Sequence, residues 1–386
     1  MLTFGIEEEF VLLDRATLVP VPIAADIQRG LATFGFGPDI VHSEFLRCQV
    51  EYCSPVLMQF DEAAQALWDF RSVLAACAEE YGAVVAGVGT SFMNPVRPMV
   101  TENSRYREIA ECIGLLASEH YINGLHIHVG VPSREAGIVS LNFLRRWLPT
   151  VLAMSANSPY WCGQDTGFSS WRAIQYRRWS TAGCPPEFVD PTDYDQRIQA
   201  LIGMGITPDE GSISWSARLS ARHPTVEVRV ADAQLNPSTT LLLALLIRAI
   251  VLTSMAHPGT VKPGQDPELL DAALWHAARY GLSAQLVHPL HHSLMPASEA
   301  VQSLLDTMQQ ALEVSGDLAI VTALTEQLLL VGTGPDRQRL AFNTAGQKGL
   351  ASFLAKAVRS ESSAHLPVAG HLGPNDPRPM ESDSLS

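Results

Sequence analysis

The stretch FGIEEEFVLLD, Phe4 to Asp14, decides the fold, because it places three consecutive glutamates inside an apolar run near the start of the chain. Successive side chains on a strand point to opposite faces, so Glu7 and Glu9 share one face while Glu8 joins the apolar residues on the other. Two carboxylates held side by side repel each other unless a cation lies between them, and hard cations such as Mg²⁺ prefer oxygen ligands. The alternative is an edge strand with a solvated acidic face. Glu8, on the apolar face, needs a partner of its own.

Three later segments repeat this alternation. They are CQVEYCSP (Cys48–Pro55), GLHIHVGVP (Gly124–Pro132) and TVEVRVADAQ (Thr225–Gln234), and their polar faces carry Gln49, Glu51 and Cys53, then His126 and His128, then Glu227 and Arg229. Ordinary amphipathic strands with a wet outer face are the alternative. Glutamate, histidine and arginine together, however, are typical of metal and phosphate binding. The pattern predicts a sheet with one polar, chemically active face.

Strands separated by helices, followed by a mostly helical last third, predict an α+β fold whose helices pack on the apolar face of the sheet. One predicted helix is capped by Asp61 and ends near Tyr81, and another runs from about Ser133 to Ser155. Residues 157–194, rich in aromatics, glycine and proline, are predicted to form an irregular loop that closes over the site. From about residue 361 the composition predicts a disordered tail.

Composition narrows the possible partners. The chain has 386 residues, is 47% hydrophobic and carries a formal net charge of −14, which argues against nucleic acids and anionic membranes and favours small substrates. Lys262, Lys348 and Lys356 are the only lysines, so phosphate binding in the first two thirds must use arginine, metal or backbone amides. No GxxxxGK[ST] loop is present, and GVGTS, ending at Ser91, is weak as a nucleotide motif. Lysine scarcity also argues against ATP-grasp chemistry.

The setting is predicted to be cytoplasmic. Six cysteines show no paired CxxC spacing, and no cationic, apolar leader opens the chain. The longest apolar stretch, Leu241 to Met255, is interrupted by Arg248 and is too short and too polar to span a bilayer, so we expect a buried helix there.

The identity of the metal follows from the donor types. A zinc hydrolase is one interpretation of histidines near glutamates, but His126-Ile127-His128 on a strand is weak support and HExxH is absent. Carboxylates outnumber histidines on the polar face, which favours Mg²⁺ or Mn²⁺ over zinc. The common task of Mg²⁺ is to bridge and neutralise nucleotide phosphates.

With these residues in place, the chain resembles the carboxylate-amine ligases of the glutamate-cysteine ligase type 2 family. The resemblance extends to about residue 358 and rests on motifs in the same order: FGIEEEF, Gln49 to Pro55, GTS with the later NSRY at Asn103 to Tyr106, GLHIHVG, SANSPYWCGQDTGFSSWR, TVEVRVAD and ARYGL at Ala278 to Leu282. It implies a glutamine synthetase-like curved antiparallel sheet with helices packed on its outer face. It also implies one catalytic domain over residues 1–360, bound ATP, two or three divalent metals and a homodimer.

The resemblance further implies residue roles. The implied metal ligands are Glu7, Glu9, Glu51, His126 and Glu227, the implied nucleotide contacts are Arg229, Glu51 and Glu227, and the implied catalytic residues are Arg229, Arg172 and His128. Arg229 would contact phosphate, and Arg172 would hold a substrate carboxylate or a phosphate. His128 is either a support for a metal ligand, a base for the amine, or purely structural. Many relatives carry histidine where this chain has Ser91, which bears on substrate choice in the neighbouring pocket.

The implied reaction is ATP-dependent amide formation through an acyl phosphate, with glutamate and cysteine as the default acid and amine. Three alternatives stay open at this point: a ligase for a different acid, a metal-dependent amide hydrolase on the same face, and a non-catalytic protein that binds a metal or metabolite.

Overall fold

A computed structural model describes residues 1–94, 99–256, 266–289, 291 and 293–360. The strands are β1 Phe4–Asp14, β2 Val41–Ser43, β3 Gln49–Cys53, β4 Ala83–Ala86, β5 Gly124–Gly130, β6 Tyr160–Trp161, β7 Gln164–Asp165, β8 Ala217–Leu219, β9 Thr225–Asp232, β10 Gln285–Val287 and β11 Leu294–Pro296. The helices are α1 Ala24–Thr33, α2 Phe60–Glu80, α3 Ser104–Ile113, α4 Arg134–Leu144, α5 Leu148–Ser155, α6 Trp171–Tyr176, α7 Pro191–Gly203, α8 Pro237–Ala256, α9 Pro267–Tyr280, α10 Ala297–Ser315, α11 Leu318–Val331 and α12 Gly334–Ala357. The predicted disordered tail lies outside the described residues.

The first strand is central to the main sheet. The order is β2-β3-β1-β5-β9-β8, all neighbours are antiparallel, and β4 pairs with the far end of β1. Because β1 is hydrogen-bonded on both sides, the alternative of a solvated acidic edge strand is wrong. The α+β prediction is confirmed: α2 and α8 pack on the apolar face of this sheet, and α12 packs in a second cluster with Val11 and Leu13 on the other face.

The strand register lines up the polar side chains in rows across the sheet. In the first row Glu9 lies opposite Glu51, which in turn lies opposite His42. In the second row, Glu7 lies between Cys53 and His126. The third row joins His128 to Glu227 and Glu227 to Arg218. Alternation within each strand brings these rows to the same face.

The opposite face builds the main core. Phe4, Ile6, Phe10 and Leu12 of β1 are all essentially inaccessible to water and pack in one cluster with residues of α2 and α8. Full burial of each such side chain stabilises the fold by about 1.5–3 kcal/mol. The alternation predicted for FGIEEEFVLLD is therefore confirmed on both faces.

Glu8 lies on this apolar face and finds its partner in α2. Arg71 donates from Nε to Glu8 Oε2 at 3.0 Å and from Nη2 to Oε1, and Thr240 also donates to Oε1. Both members of the pair are about 1% exposed. Arg71 also lies 5.1 Å from the centre of the Phe10 ring. A buried charge of this kind is tolerated because its partner supplies both hydrogen bonds and opposite charge.

The long apolar helix α8 is buried, as the sequence predicted, and Arg248 inside it pairs with Asp317. The expectation that the stretch Leu241 to Met255 is too short and too polar to span a bilayer is wrong, because the helix extends beyond it on both sides. By length and composition two stretches could cross a membrane: Pro237–Ala256, whose most apolar window is 78% buried within the structure, and Leu318–Ala357, whose window is 33% buried. The first of them is a core helix of this fold.

Two helix predictions are wrong in detail. Gln59, not Asp61, caps α2, in a capping box with Glu62. The single helix predicted from Ser133 to Ser155 is two helices, α4 and α5, with Pro149 in the first turn of the second. Proline lacks the N–H that a continuous helix needs at that position, and its ring clashes with the carbonyl four residues earlier.

The segment 157–194 is not an irregular loop. It contains β6, β7, α6 and the start of α7. Its first part is held by the buried Asp232, which accepts hydrogen bonds from the Asn157 amide at 2.8 Å and from the hydroxyls of Ser158 and Ser170 at 2.6 and 2.8 Å. These bonds tie the first part of the segment to the end of β9, and closure of the segment over the site stays a prediction.

Candidate active site

The polar face of the sheet forms the floor of a cavity of about 710 Å³. Loops from both sides complete its walls, including the turn 220–225 and residues 211–214. Every site residue predicted from the sequence lines it: Glu7, Glu9, Glu51, His126, His128, Arg172, Glu227 and Arg229. The volume is in the range of sites that take small molecules.

Carboxylates crowd one part of this floor. Three sets of side chains each bring one ligand atom per residue to within 4.8 Å of the others: Glu9 with Glu44 and Glu51, Glu7 with Glu51 and His126, and Glu7 with His128 and Glu227. Glu7 and Glu51 each belong to two of these sets, so they would bridge neighbouring cations. The set with Glu44 is built from oxygen donors alone.

Burial and mutual repulsion act on the crowded carboxylates. Burial raises the pKa of Glu51 well above its usual value, and the charges of Glu7 and Glu9 raise it further. Glu44 has a raised pKa for the same reasons, with burial first and then Glu51 and Glu9. Divalent cations bound among these carboxylates would lower the free-energy cost of ionising them, because they supply positive charge. The donor types fit Mg²⁺ or Mn²⁺, which favour oxygen ligands.

Glu7 is in the opposite situation because two imidazoles face it. His126 Nδ1 lies 3.2 Å from Glu7 Oε2, and His128 Nε2 lies 3.2 Å from Oε1. Burial raises the pKa of Glu7, but the contacts with His126 and His128 outweigh burial and hold it well below its usual range. The other nitrogen of His128 contacts Thr225 Oγ1 at 2.9 Å, which fixes the orientation of its ring. Glu7 is thus held ionised and oriented.

Glu227 lies between two arginines at the β9 side. Arg218 of β8 donates to it from Nε at 2.8 Å and from Nη2 at 3.2 Å, and Arg229 also donates to it. Burial alone would raise the pKa of Glu227, but the charges of Arg229 and Arg218 keep it well below its usual value. β9 carries one extra residue opposite β5, a bulge between the pairs Leu125–Ala231 and Ile127–Val228. Arg229 lies in this bulge, and its Nη1 is 3.3 Å from His126 Nδ1.

Arg172 reaches the cavity from α6. Ser170 caps this helix by accepting from the Ala173 amide, and the Arg172 guanidinium donates to the backbone carbonyls of Val230 and Arg229 at 3.4 and 3.3 Å. Its Nε has no hydrogen-bond partner among the described residues although the side chain is buried. A buried guanidinium with spare donors suits an anionic ligand group.

The wall beyond the carboxylates is aromatic. His120 packs edge-to-face against Phe45 at 5.1 Å and against Trp179 at 5.0 Å, and Phe45 packs in the same way against Tyr106 at 5.8 Å. Burial, with the charges of Arg172 and Arg178, lowers the pKa of His120 to about 3, so this imidazole is neutral. This end of the cavity offers an apolar, uncharged surface next to the charged floor.

Sequence reasoning missed some residues of the site and misplaced one. Glu44 and Arg218 were missed: Glu44 lies in a loop where strand alternation gives no signal, and Arg218 lies on a strand too short for its pattern to stand out. Ser91, expected near the substrate pocket, is fully buried and is not among the lining residues. Its hydroxyl has no hydrogen-bond partner within the part of the chain that the structure describes.

Comparisons with known proteins identify the family. The model of the family described as "Glutamate-cysteine ligase family 2" matches residues 3–356. The Nocardia farcinica protein named "Putative glutamate--cysteine ligase 2-1" is 37% identical over 380 residues, which are 95% of this chain and 98% of that protein. The Salinispora arenicola protein named "Putative glutamate--cysteine ligase 2" is 40% identical over 340 residues, 88% of this chain and 89% of that protein.

Two solved structures share the fold. A bifunctional glutathione synthetase from Pasteurella multocida matches with a TM-score of 0.68 and 16% identity, covering 92% of this chain and 52% of that one. A glutamate–cysteine ligase from Francisella tularensis, solved in complex with AMP, matches with a TM-score of 0.64 and 12% identity, covering 93% of this chain and 89% of that one. The glutamine synthetase-like sheet implied by the sequence is confirmed.

Fold and family together define a ligase that forms carbon–nitrogen bonds. The chain belongs to glutamate-cysteine ligase family 2, as the resemblance in its motifs indicated.

Proposed function

We propose that the protein joins a carboxylic acid to an amine at the expense of ATP, with glutamate and cysteine as the first pair to test. The observation that supports this most directly is the floor of the cavity, where a crowd of carboxylates lies beside Arg229 and Arg172. Anionic side chains cannot bind phosphates by themselves. Together with divalent cations and arginines they can, and this combination is what phosphoryl transfer requires.

The cations would be held by Glu7, Glu9, Glu51, His126 and Glu227, with Glu44 as an addition that the sequence did not suggest. When bound, Mg²⁺ or Mn²⁺ would neutralise the nucleotide phosphates and the substrate carboxylate. The family relatives and the AMP complex of the Francisella tularensis enzyme support a nucleotide site, and they leave the identity of the cation to experiment.

Arg229 and Arg172 are proposed to bind the anionic groups. Arg229 is held against Glu227, and its Nε has no partner in the described part of the molecule, so this donor is free for a phosphate oxygen. A donor placed where charge develops stabilises the transfer of the γ-phosphoryl group to the acid and the later departure of phosphate from the acyl phosphate. Arg172, with its own spare Nε, is proposed to bind the carboxylate of a substrate.

His128 is proposed to act by holding Glu7, because it contacts Glu7 and Thr225 and so links the carboxylate to the start of β9. Neutral His120 and its aromatic neighbours would line the place of the organic part of a substrate. Exclusion of water from that surface would protect an acyl phosphate from hydrolysis.

The test is nucleotide consumption with defined partners. Purified protein with Mg²⁺ and ATP is screened against pairs of acids and amines, ADP release is measured, and the product is identified by mass spectrometry. We expect ADP release that depends on both an acid and an amine, with one amide formed per ADP. Glu7→Gln and Glu227→Gln should abolish turnover, whereas the exposed Glu111→Gln should not. Amide cleavage without nucleotide would instead show the hydrolase.

Two further proposals concern the compartment and the oligomeric state of the protein. All six cysteines are free, which supports a reducing compartment such as the cytoplasm. The homodimer implied by the family stays a prediction, and sedimentation of the purified chain measures it directly.

A further inference from the structure

The outer edge of the carboxylate floor carries a second kind of ligand set. Cys53 Sγ lies 3.4 Å from His42 Nδ1, and the same nitrogen lies 3.6 Å from Glu51 Oε2. One ligand atom from each of the three residues lies within 4.8 Å of the other two. Thiol, imidazole and carboxylate form a softer donor set than the oxygen-rich groups beside it.

The geometry is built by the sheet. His42 lies directly opposite Glu51 in the pairing of β2 with β3, and Cys53 follows Glu51 by two positions on β3, so all three side chains point to the same face. Zinc bonds of about 2.3 Å to sulfur and 2.0–2.2 Å to nitrogen or oxygen, in a tetrahedron, place neighbouring ligand atoms about 3.4–3.6 Å apart. The separations of His42 Nδ1 from Cys53 Sγ and from Glu51 Oε2, 3.4 and 3.6 Å, match this spacing, and the sulfur lies within 4.8 Å of a carboxylate oxygen of Glu51.

Solvent can reach the set. β2 is the edge strand of the sheet, and the His42 side chain is 43% exposed. A cation could therefore enter from outside while a water molecule completes its coordination, as in zinc sites with three protein ligands. The thiol of Cys53 is not in a disulfide.

We propose that Cys53, His42 and Glu51 form a binding site for a thiophilic divalent cation of the zinc class, and that its occupancy inhibits the enzyme. The reason for inhibition is Glu51, which also belongs to the sets with Glu7 and with Glu9 and Glu44. A cation held by sulfur and nitrogen at the edge would draw this shared carboxylate away from the floor. The inhibitory effect rests on the proposed ligase function, whereas the binding does not.

The first experiment measures binding alone. Cd²⁺ is titrated into the full chain, with Mg²⁺ present and nucleotide absent, and thiolate-to-metal charge-transfer absorption is recorded. We expect saturation near one equivalent. Cys53→Ser should remove the absorption, His42→Gln should weaken Cd²⁺ binding at least tenfold, and Cys112→Ser, an exposed cysteine that does not line the cavity, should match the unchanged protein. Unchanged absorption in Cys53→Ser, or equal affinity in His42→Gln, would overturn the site. Circular dichroism of each variant verifies the fold.

The second experiment measures inhibition. Zn²⁺ is added to the ADP-release assay with Mg²⁺ in excess, and we expect Cys53→Ser and His42→Gln to keep basal turnover but to need at least tenfold more Zn²⁺ for half-inhibition. Equal Zn²⁺ sensitivity of all three proteins would overturn the inhibitory role. If no acid and amine pair supports ADP release, the proposed function fails, and the Cd²⁺ titration still decides on the site.

Discussion

Glu9 and Glu51 lie directly opposite each other in the antiparallel pairing of β1 with β3. Like charges at opposed positions of a sheet destabilise it, typically by a few tenths to 1 kcal/mol, and burial adds to the cost here. A fold retains such a pair when the charges serve a ligand. If the proposed cations bind between these carboxylates, we expect the stability of this protein to depend on divalent cations.

Glu51→Gln should separate stability from activity. Without divalent cations, the variant should be the more stable protein, by up to roughly 0.5–1 kcal/mol and increasingly so as the pH rises, because the raised pKa of Glu51 means that ionising this carboxyl beside Glu9 costs stability. With Mg²⁺ and ATP, turnover should fall at least 100-fold, because two sets of ligands lose a shared member. Urea denaturation in EDTA and ADP release measure the two effects. A less stable variant in EDTA would contradict the idea that this carboxylate is under strain.

Mg²⁺ should raise the melting temperature of the protein. A cation at 100 times its dissociation constant stabilises by about 2.7 kcal/mol, and for large domains each kcal/mol corresponds to roughly 2–4 °C. Differential scanning fluorimetry with and without Mg²⁺ measures the shift. Glu7→Gln should reduce it by at least half, and Glu111→Gln should leave it unchanged. Equal shifts in both variants would place cation binding elsewhere.

Gly124→Ala should disturb the site without disturbing the fold. A Cβ at this position would lie 2.5 Å from Arg172 Nη2 and 3.0 Å from His126 Nε2, so both side chains would have to move. Displacement of about 1 Å can cost roughly 100-fold in rate. Turnover should fall by tenfold or more while the melting temperature changes little. Gly37→Ala is the matched control, since nothing lies within 4 Å of its added methyl group; equal activities of the two variants would show that Arg172 adapts.

Glu8 and Arg71 should behave as one unit. Glu8→Gln leaves the Arg71 charge buried without its partner, and loss of one member of a buried pair costs about 3–5 kcal/mol. The double variant Glu8→Leu with Arg71→Met should lose much less stability than the sum of the losses in Glu8→Leu alone and Arg71→Met alone. A double-mutant cycle by urea denaturation gives the coupling energy. Additive losses would mean that the two side chains are stabilised independently.

The residues that could be predicted are those whose position depends on local alternation. Glu7, Glu9 and Glu8 were assigned to the correct faces because a strand of regular pleat fixes the face of every side chain. His126 and Glu227 followed in the same way. The glutamine synthetase-like sheet was implied by the resemblance of the motifs to a known family, and not by alternation.

The residues that could not be predicted are brought in by tertiary structure. The need of Glu8 for a partner was visible, but Arg71 lies 63 positions away on a helix. Glu44 approaches Glu51 from a loop, and Arg218 approaches Glu227 from a three-residue strand. The bulge in β9 that contains Arg229 cannot be recognised in an unbroken run of alternating residues.

Asp232 helps to fix the position of Arg172 relative to Arg229, and this bears on which acid the site accepts. It anchors the segment that carries Arg172, and Arg172 itself rests on the backbone carbonyls of Arg229 and Val230. Arg229 is part of β9, and Arg172 donates to backbone carbonyls of β9. The same strand therefore positions both proposed anion-binding residues. Because both residues are positioned by this strand, the distance between a phosphoryl group at Arg229 and a substrate carboxylate at Arg172 would select the acid by its length.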